Sequence, residues 1–144
     1  MYNILLQIHS GIRYLVLLGL VVVIVKSFIG LINRKGYNKT DNQLSLFLFI
    51  STHTQLLFGL FLYFVSPFVS FGSTTMSDKI TRYWTVEHLT GMLLAVALIT
   101  IARISSKKMT DDVAKHKRIF IFNALALVII VVIILISDRK LIGS

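Results

Sequence analysis

Cysteine is absent from all 144 residues, which excludes disulfides, thiolate metal sites, iron–sulfur clusters and covalent c-type heme attachment. Any metal or redox chemistry therefore falls to His, Asp or Glu. Proline occurs once, and charged residues make up only 15% of the chain against 56% hydrophobic, whereas soluble domains carry about 25% charge. That composition points to an integral membrane protein. Acidic residues are scarcest, 6 against 15 Lys and Arg, for a net charge of +9. Such an excess suits nucleic acid, but most of the cations lie in two short segments between apolar runs, where a membrane topology signal places them. A nucleic-acid partner is excluded on that ground. No small-residue cleavage site follows the first apolar run, so no cleavable signal is expected and Met1 is taken as the mature start.

Four apolar runs are present, and each crossing of a hydrocarbon core about 30 Å thick takes roughly 20 residues as helix. The first extends from Ile4 to Ile32, with Gln7, His9, Ser10 and Arg13 near its start. The second run, Leu44 to Phe71, holds the polar string Ser51-Thr52-His53-Thr54-Gln55, and Ser66-Pro67 closes its helix, expected over 44–68. The third helix is expected over 83–104, opening on the interfacial aromatic pair Tyr83-Trp84, and the fourth over 119–137. KGYNKTDN and SSKKMTDDVAKHKR between them are taken as polar connections. Asn38-Lys39-Thr40 fits a glycosylation sequon but falls in a connection assigned to the cytoplasm, so it carries no weight. With short connections, the expected fold is all-α: a single transmembrane domain forming an up-and-down four-helix bundle, helices one and three diagonal, two and four diagonal.

Orientation follows from the cations near the helix ends. Lys26, Arg34, Lys35, Lys39, Arg103, Lys107, Lys108, Lys115, Lys117 and Arg118 gather at one end, and Arg13, Lys79, Arg82, Arg139 and Lys140 at the other. Ten against five places the first end in the cytoplasm and both chain termini outside, in an inner membrane.

A strongly polar side chain at bilayer depth costs roughly 2.5 to 3.5 kcal/mol on insertion scales and calls for a functional partner. The chain has four histidines, His9, His53, His88 and His116, one in or beside each apolar run. This distribution suggests heme ligation from facing helices. At 1.5 Å per residue, His9 lies about 5 Å and His88 about 6 Å below the outer boundary. Matched depth on diagonal helices makes them the expected axial pair, with His53, deeper by the same reckoning, as the alternative ligand. A second pair, His53 with His116, competes with a plainer reading of His116 as an exposed loop residue. Arg13, one turn below His9, is expected to meet a heme propionate or Glu87, with Arg82 and Lys79 near the second propionate. Gly11, Gly59 and Gly91 suit close approach of a flat ring or simply of another helix. Gln55 and Asn123 are expected to make interhelical hydrogen bonds.

Three strings, Ile8-His9-Ser10-Gly11-Ile12-Arg13-Tyr14, Thr52-His53-Thr54-Gln55-Leu56-Leu57-Phe58-Gly59-Leu60 and Thr85-Val86-Glu87-His88, the last followed by MLLAVALITIAR, together resemble a family of short four-helix membrane proteins from Bacteroidota-type bacteria usually labelled cytochrome b. The resemblance covers nearly the whole chain. It implies non-covalent heme b and singles out His9, His53 and His88, while the position of His116 need not be histidine. TQLLFGL is more loosely similar to one half of heme A synthase, whose Glu-x-x-x-His signature is lacking here.

Two functions of different class follow. One is a b-type cytochrome passing electrons to or from a quinone or a partner redox protein within a larger membrane complex. The other is a cofactor-free accessory subunit of such a complex. An enzyme acting on heme or quinone ranks last, because no nucleophile, base and orienting group stand together in the sequence.

Overall fold

The computed structural model describes residues 2–67 and 69–136. The ends expected at 68 and 137, and Arg139 and Lys140 of the cation count, lie outside the described residues. Four long helices make up the chain: α1 (Tyr2–Ile32), α2 (Lys39–Val65), α3 (Lys79–Lys107) and α4 (Asp112–Ile136). Each is long and apolar enough to cross a bilayer, and no strand occurs among the described residues. The shortest has 25 residues, or about 37 Å of helix. Helix α3 is not uniform. A first α turn, Lys79–Arg82, gives way to a π-helical turn, Tyr83–Glu87, before the α-helix resumes at His88.

Three helices start earlier than the apolar pattern suggests, because hydrogen-bonding side chains recruit polar residues into the first turn. At α2 the Asn38 side chain accepts from the Asp41 N–H at 3.0 Å and Asp41 accepts from the Asn38 N–H at 3.0 Å, a capping box that makes residues 39–43 helical. Asp78 caps α3 through the Thr81 N–H at 3.1 Å, and hydrogen bonds from the Thr81 side chain and backbone hold its carboxyl below the ordinary carboxylate value. Asp111 accepts from the Ala114 N–H at 3.2 Å ahead of α4. Residues 112–118, expected as connection, are thereby helical. His116 moves with them into the bundle.

Helix α1 ends in a Schellman motif, with the Lys35 N–H on the Gly30 carbonyl at 2.9 Å and the Arg34 N–H on the Leu31 carbonyl at 3.4 Å. The motif needs a left-handed residue, and Arg34 supplies it at φ 52°. An L side chain costs roughly 1–2 kcal/mol there. Arg34→Gly is therefore expected to stabilise the protein by about 1 kcal/mol, read as a higher denaturation midpoint in detergent.

Packing follows chain order. Helix α1 lies against α2 and α4, and α3 lies against α4, whereas α2 and α3 touch over a much shorter stretch. The bundle is thus up-and-down with the expected diagonals, closed on three sides and slack on the fourth. Its core combines Val16, Leu20 and Val23 of α1, Leu48 of α2, Ala95 and Ile99 of α3, and Ile119, Ala126, Ile130 and Ile134 of α4. Small residues bring the helices close where they cross, as at Gly19 against Leu48. The outward faces are no less apolar: Leu18, Val21, Val25, Phe61, Phe64, Ile101, Val128 and Leu135 are all exposed. A helix apolar on every side belongs in a protein interior or in lipid.

Candidate functional site

The slack between α2 and α3 opens a cavity at the end of the bundle where α1 begins. It offers about 180 Å³ to water, and about 1340 Å³ of atom-free space with its mouth included. Leu56, Leu60, Met92, Val96 and other aliphatic side chains form most of the wall. The polar groups are fewer: Tyr2, His9, Ser10 and Arg13 from α1, Thr52, Gln55 and Tyr63 from α2 with Ser66 just beyond it, and Trp84 and His88 from α3. An apolar cleft with a few convergent polar groups is the usual form of a ligand site.

His9 and His88 face each other across this space, with ring centroids 6.5 Å apart and planes inclined at 68°. An imidazole nitrogen binds a transition metal at about 2.0–2.1 Å, so two rings on opposite sides of one ion have centroids about 6 Å apart. The observed centroid separation is of that size. Gly59 makes room for it, since a Cβ there would stand 3.0 Å from His9 Cε1. His9 Nδ1 is buried without a hydrogen-bond partner, as are Thr52 Oγ1 and Gln55 Oε1 on the same wall. Buried polar atoms of this kind are costly unless a ligand or water satisfies them.

The π turn prepares His88. Tyr83, buried at 5% exposure, donates its hydroxyl hydrogen to the Ile133 carbonyl of α4 at 2.9 Å, and its oxygen lies 3.4 Å from His88 Nδ1. With its hydrogen directed to the Ile133 carbonyl, the phenol oxygen offers a lone pair toward His88 Nδ1. Such a contact from a ring nitrogen to a hydroxyl is the kind that orients a metal-ligating histidine. The wider π turn also exposes the Thr85 carbonyl to the Tyr63 hydroxyl of α2 at 2.8 Å. The 69–77 loop is tied down at the same point, through the Ser70 N–H to Thr85 Oγ1 at 3.0 Å. Single π turns recur at functional sites.

The remaining residues fall out as follows. Arg13 lines the cavity one turn below His9, donating to the Tyr14 hydroxyl at 3.0 Å and stacking over that ring at 4.9 Å. Glu87, one of its expected partners, is instead paired with Arg82 at 3.7 Å, and Arg82 also donates to the Met76 carbonyl at 3.1 Å. Arg82 is therefore committed to the rim rather than free for a second propionate.

His53 lies elsewhere. Its Nδ1 meets the Phe49 carbonyl at 2.8 Å and its Nε2 meets Thr100 Oγ1 at 3.3 Å. Thr100 is three turns beyond His88 along α3, about 18 Å. The depth count that set His53 apart from the pair began helix two too late, but the separation itself stands. His116 is no exposed loop residue. It is 1% exposed, packed on Gly30 and beside Tyr37 at the opposite end of the bundle. His53 and His116 thus have separate local partners. Gln55 does bridge helices, donating to the His9 carbonyl at 2.8 Å, whereas Asn123 donates within α4, to Ile119 at 2.8 Å. Gly91 serves helix packing, its added Cβ falling 2.4 Å from Ile133, and Gly11 faces open space.

Comparison with protein-family models, with curated proteins and with solved structures finds no match. Among the described residues no three of His, Cys, Asp and Glu converge as a metal cluster, so the chemistry on offer is that of a two-histidine site in an apolar cleft. Two histidines of this kind, His9 and His88, are the residues that would hold a heme iron, which would supply one-electron redox chemistry. Donor type and ring spacing fit that group, and Gly59 leaves room for the His9 ring.

Proposed function

We propose that this chain is a membrane-embedded b-type cytochrome, with His9 and His88 as the axial ligands of one non-covalent heme b. The observation that carries the reading is the 6.5 Å approach of the two rings across the cavity, made by residues 79 positions apart in the sequence. When bound, heme supplies reversible one-electron transfer, passed to or from a quinone or a partner redox protein. The side chains do the rest. Tyr83, 3.4 Å from His88 Nδ1, would orient that imidazole; the aliphatic wall lowers the local dielectric, which would tune the potential. Arg13 brings a positive charge to the cavity, suited to a propionate. The four helices cross an inner membrane with the ten-cation end in the cytoplasm and the histidine pair toward the outer face.

Visible spectroscopy tests this directly. Protein purified in detergent from heme-supplied cells is expected to show a shifted Soret band and a sharp alpha band in a dithionite-reduced minus oxidised spectrum. A colourless, folded protein would overturn the reading and favour a cofactor-free accessory subunit.

A further inference from the structure

The opposite end of the bundle holds a second cavity, of about 350 Å³, lined by Tyr37, Asn38, Lys39, Asn42, Ser106, Lys107 and Lys115. Its lysines come from three different places: the first turn of α2, the end of α3 and the first turns of α4. We propose that this cavity binds a phosphate-bearing anion, with the headgroup of an anionic phospholipid as its occupant.

The charge arrangement favours this over scattered topology lysines. Among the described residues, Lys39, Lys107 and Lys115 have no carboxylate partner, and no acidic side chain lines the cavity. Of the nearby acids, Asp41 and Asp111 are engaged elsewhere, and Asp112 is not among the residues lining the cavity. Asp41 is buried and paired with Lys26 at 2.8 Å, and Asp111 caps α4. Lys115 is held over the Tyr37 ring at 5.4 Å, so one of the three cations is positioned rather than loose. Burial raises the Tyr37 phenol above its ordinary value, and the side chain adds no negative charge. Behind the cavity Arg103, only 7% exposed, donates to the Asn42 carbonyl at 3.4 Å and stacks near Phe49 at 5.8 Å, bringing a fourth cation close to the wall. The site lies at the level where α1 and α3 end and α2 and α4 begin, which in a spanning bundle is the headgroup layer. Basic pockets between helices at that level suit lipid phosphates, and each lysine near such a surface contributes about a fivefold factor in affinity. The inference rests on the membrane reading but not on heme.

Full-length protein in a neutral detergent, titrated with phosphatidylglycerol and followed by native mass spectrometry, provides the test. The variant K39Q/K107Q/K115Q is expected to bind on the order of a hundredfold more weakly. R34Q/K35Q/K117Q removes the same charge from the same end but from outside the cavity, and is expected to bind nearly as wild type. Equal losses in the two variants would overturn the proposal, since diffuse surface charge would then suffice, and so would failure of wild type to retain the lipid. Millimolar inorganic phosphate separates the sources: lipid retained in its presence identifies the headgroup, while displacement by phosphate refutes the lipid assignment. The single variant K107Q, expected to lose about fivefold, keeps the test open if the triple variant is poorly folded. The heme spectrum is expected to be unchanged in every variant, so this proposal and the cytochrome reading fail independently.

Discussion

Replacing either His9 or His88 by Ala is expected to abolish the low-spin heme spectrum and to lower heme content by more than about tenfold, the scale set by the loss of even a group that merely supports a ligand. Each variant would leave only one of the two imidazoles that would hold the heme. The iron would then be five-coordinate and high-spin, or the heme would wash out. Tyr83→Phe provides a graded version, because it removes the hydroxyl beside His88 Nδ1 while keeping the ring. Heme is expected to remain, with weaker binding by about tenfold and a shifted reduction potential. His53→Ala is the control that discriminates. Its ring is engaged with Thr100 and Phe49, three turns away from His88, so its loss is expected to leave the low-spin signal in place. If His53→Ala removed the signal and His9→Ala preserved it, the assigned pair would be wrong and the family-based alternative would take its place.

The proximity of His9 and His88 was legible in the sequence because depth along a helix is a one-dimensional quantity. Counting residues from an apolar boundary brings His9 and His88 to one level whatever the lateral packing. Pairings of the charged side chains were not legible. The Arg13–Glu87 pairing expected from level alone gives way to Arg82–Glu87, because both of those residues lie on α3 and need no crossing of the cavity. Helix starts were misjudged for a related reason. Hydropathy marks where a helix becomes apolar, whereas Asn38, Asp78 and Asp111 mark where its backbone begins, one or two turns earlier. Asn38 followed by Asp41 was a capping signal in plain view. The π turn at Tyr83–Glu87 left no such signal, since it arises from tertiary bonds of Tyr83 and Thr85 to partners distant in the sequence.

The largest stability effect is expected at the other end, where Gly30 of α1 faces His116 of α4. A Cβ on Gly30 would fall 2.5 Å from His116 Cε1 and 2.6 Å from Nε2, inside any tolerable contact. The ring cannot easily yield. It is 1% exposed, flanked by Tyr37 with centroids 5.4 Å apart, and its Nε2 lies 3.4 Å from the Gly36 carbonyl. The neighbouring Lys35 N–H also depends on the Gly30 carbonyl, so displacing α1 here would disturb its C-terminal cap as well. Gly30→Val is accordingly expected to cost at least the 1–3 kcal/mol typical of overpacking, measured as a lower unfolding midpoint in detergent. Gly11→Val, whose added Cβ meets nothing within 4 Å, is expected to leave the midpoint nearly unchanged. Trimming the opposing ring supplies the decisive comparison. In the double variant Gly30→Val/His116→Ala the new methyls enter space the imidazole vacated, so the two changes should destabilise less together than separately added, by a coupling of about 0.5–3 kcal/mol. Strict additivity, or a Gly30→Val protein as stable as wild type, would show that α1 and α4 do not meet through this pair.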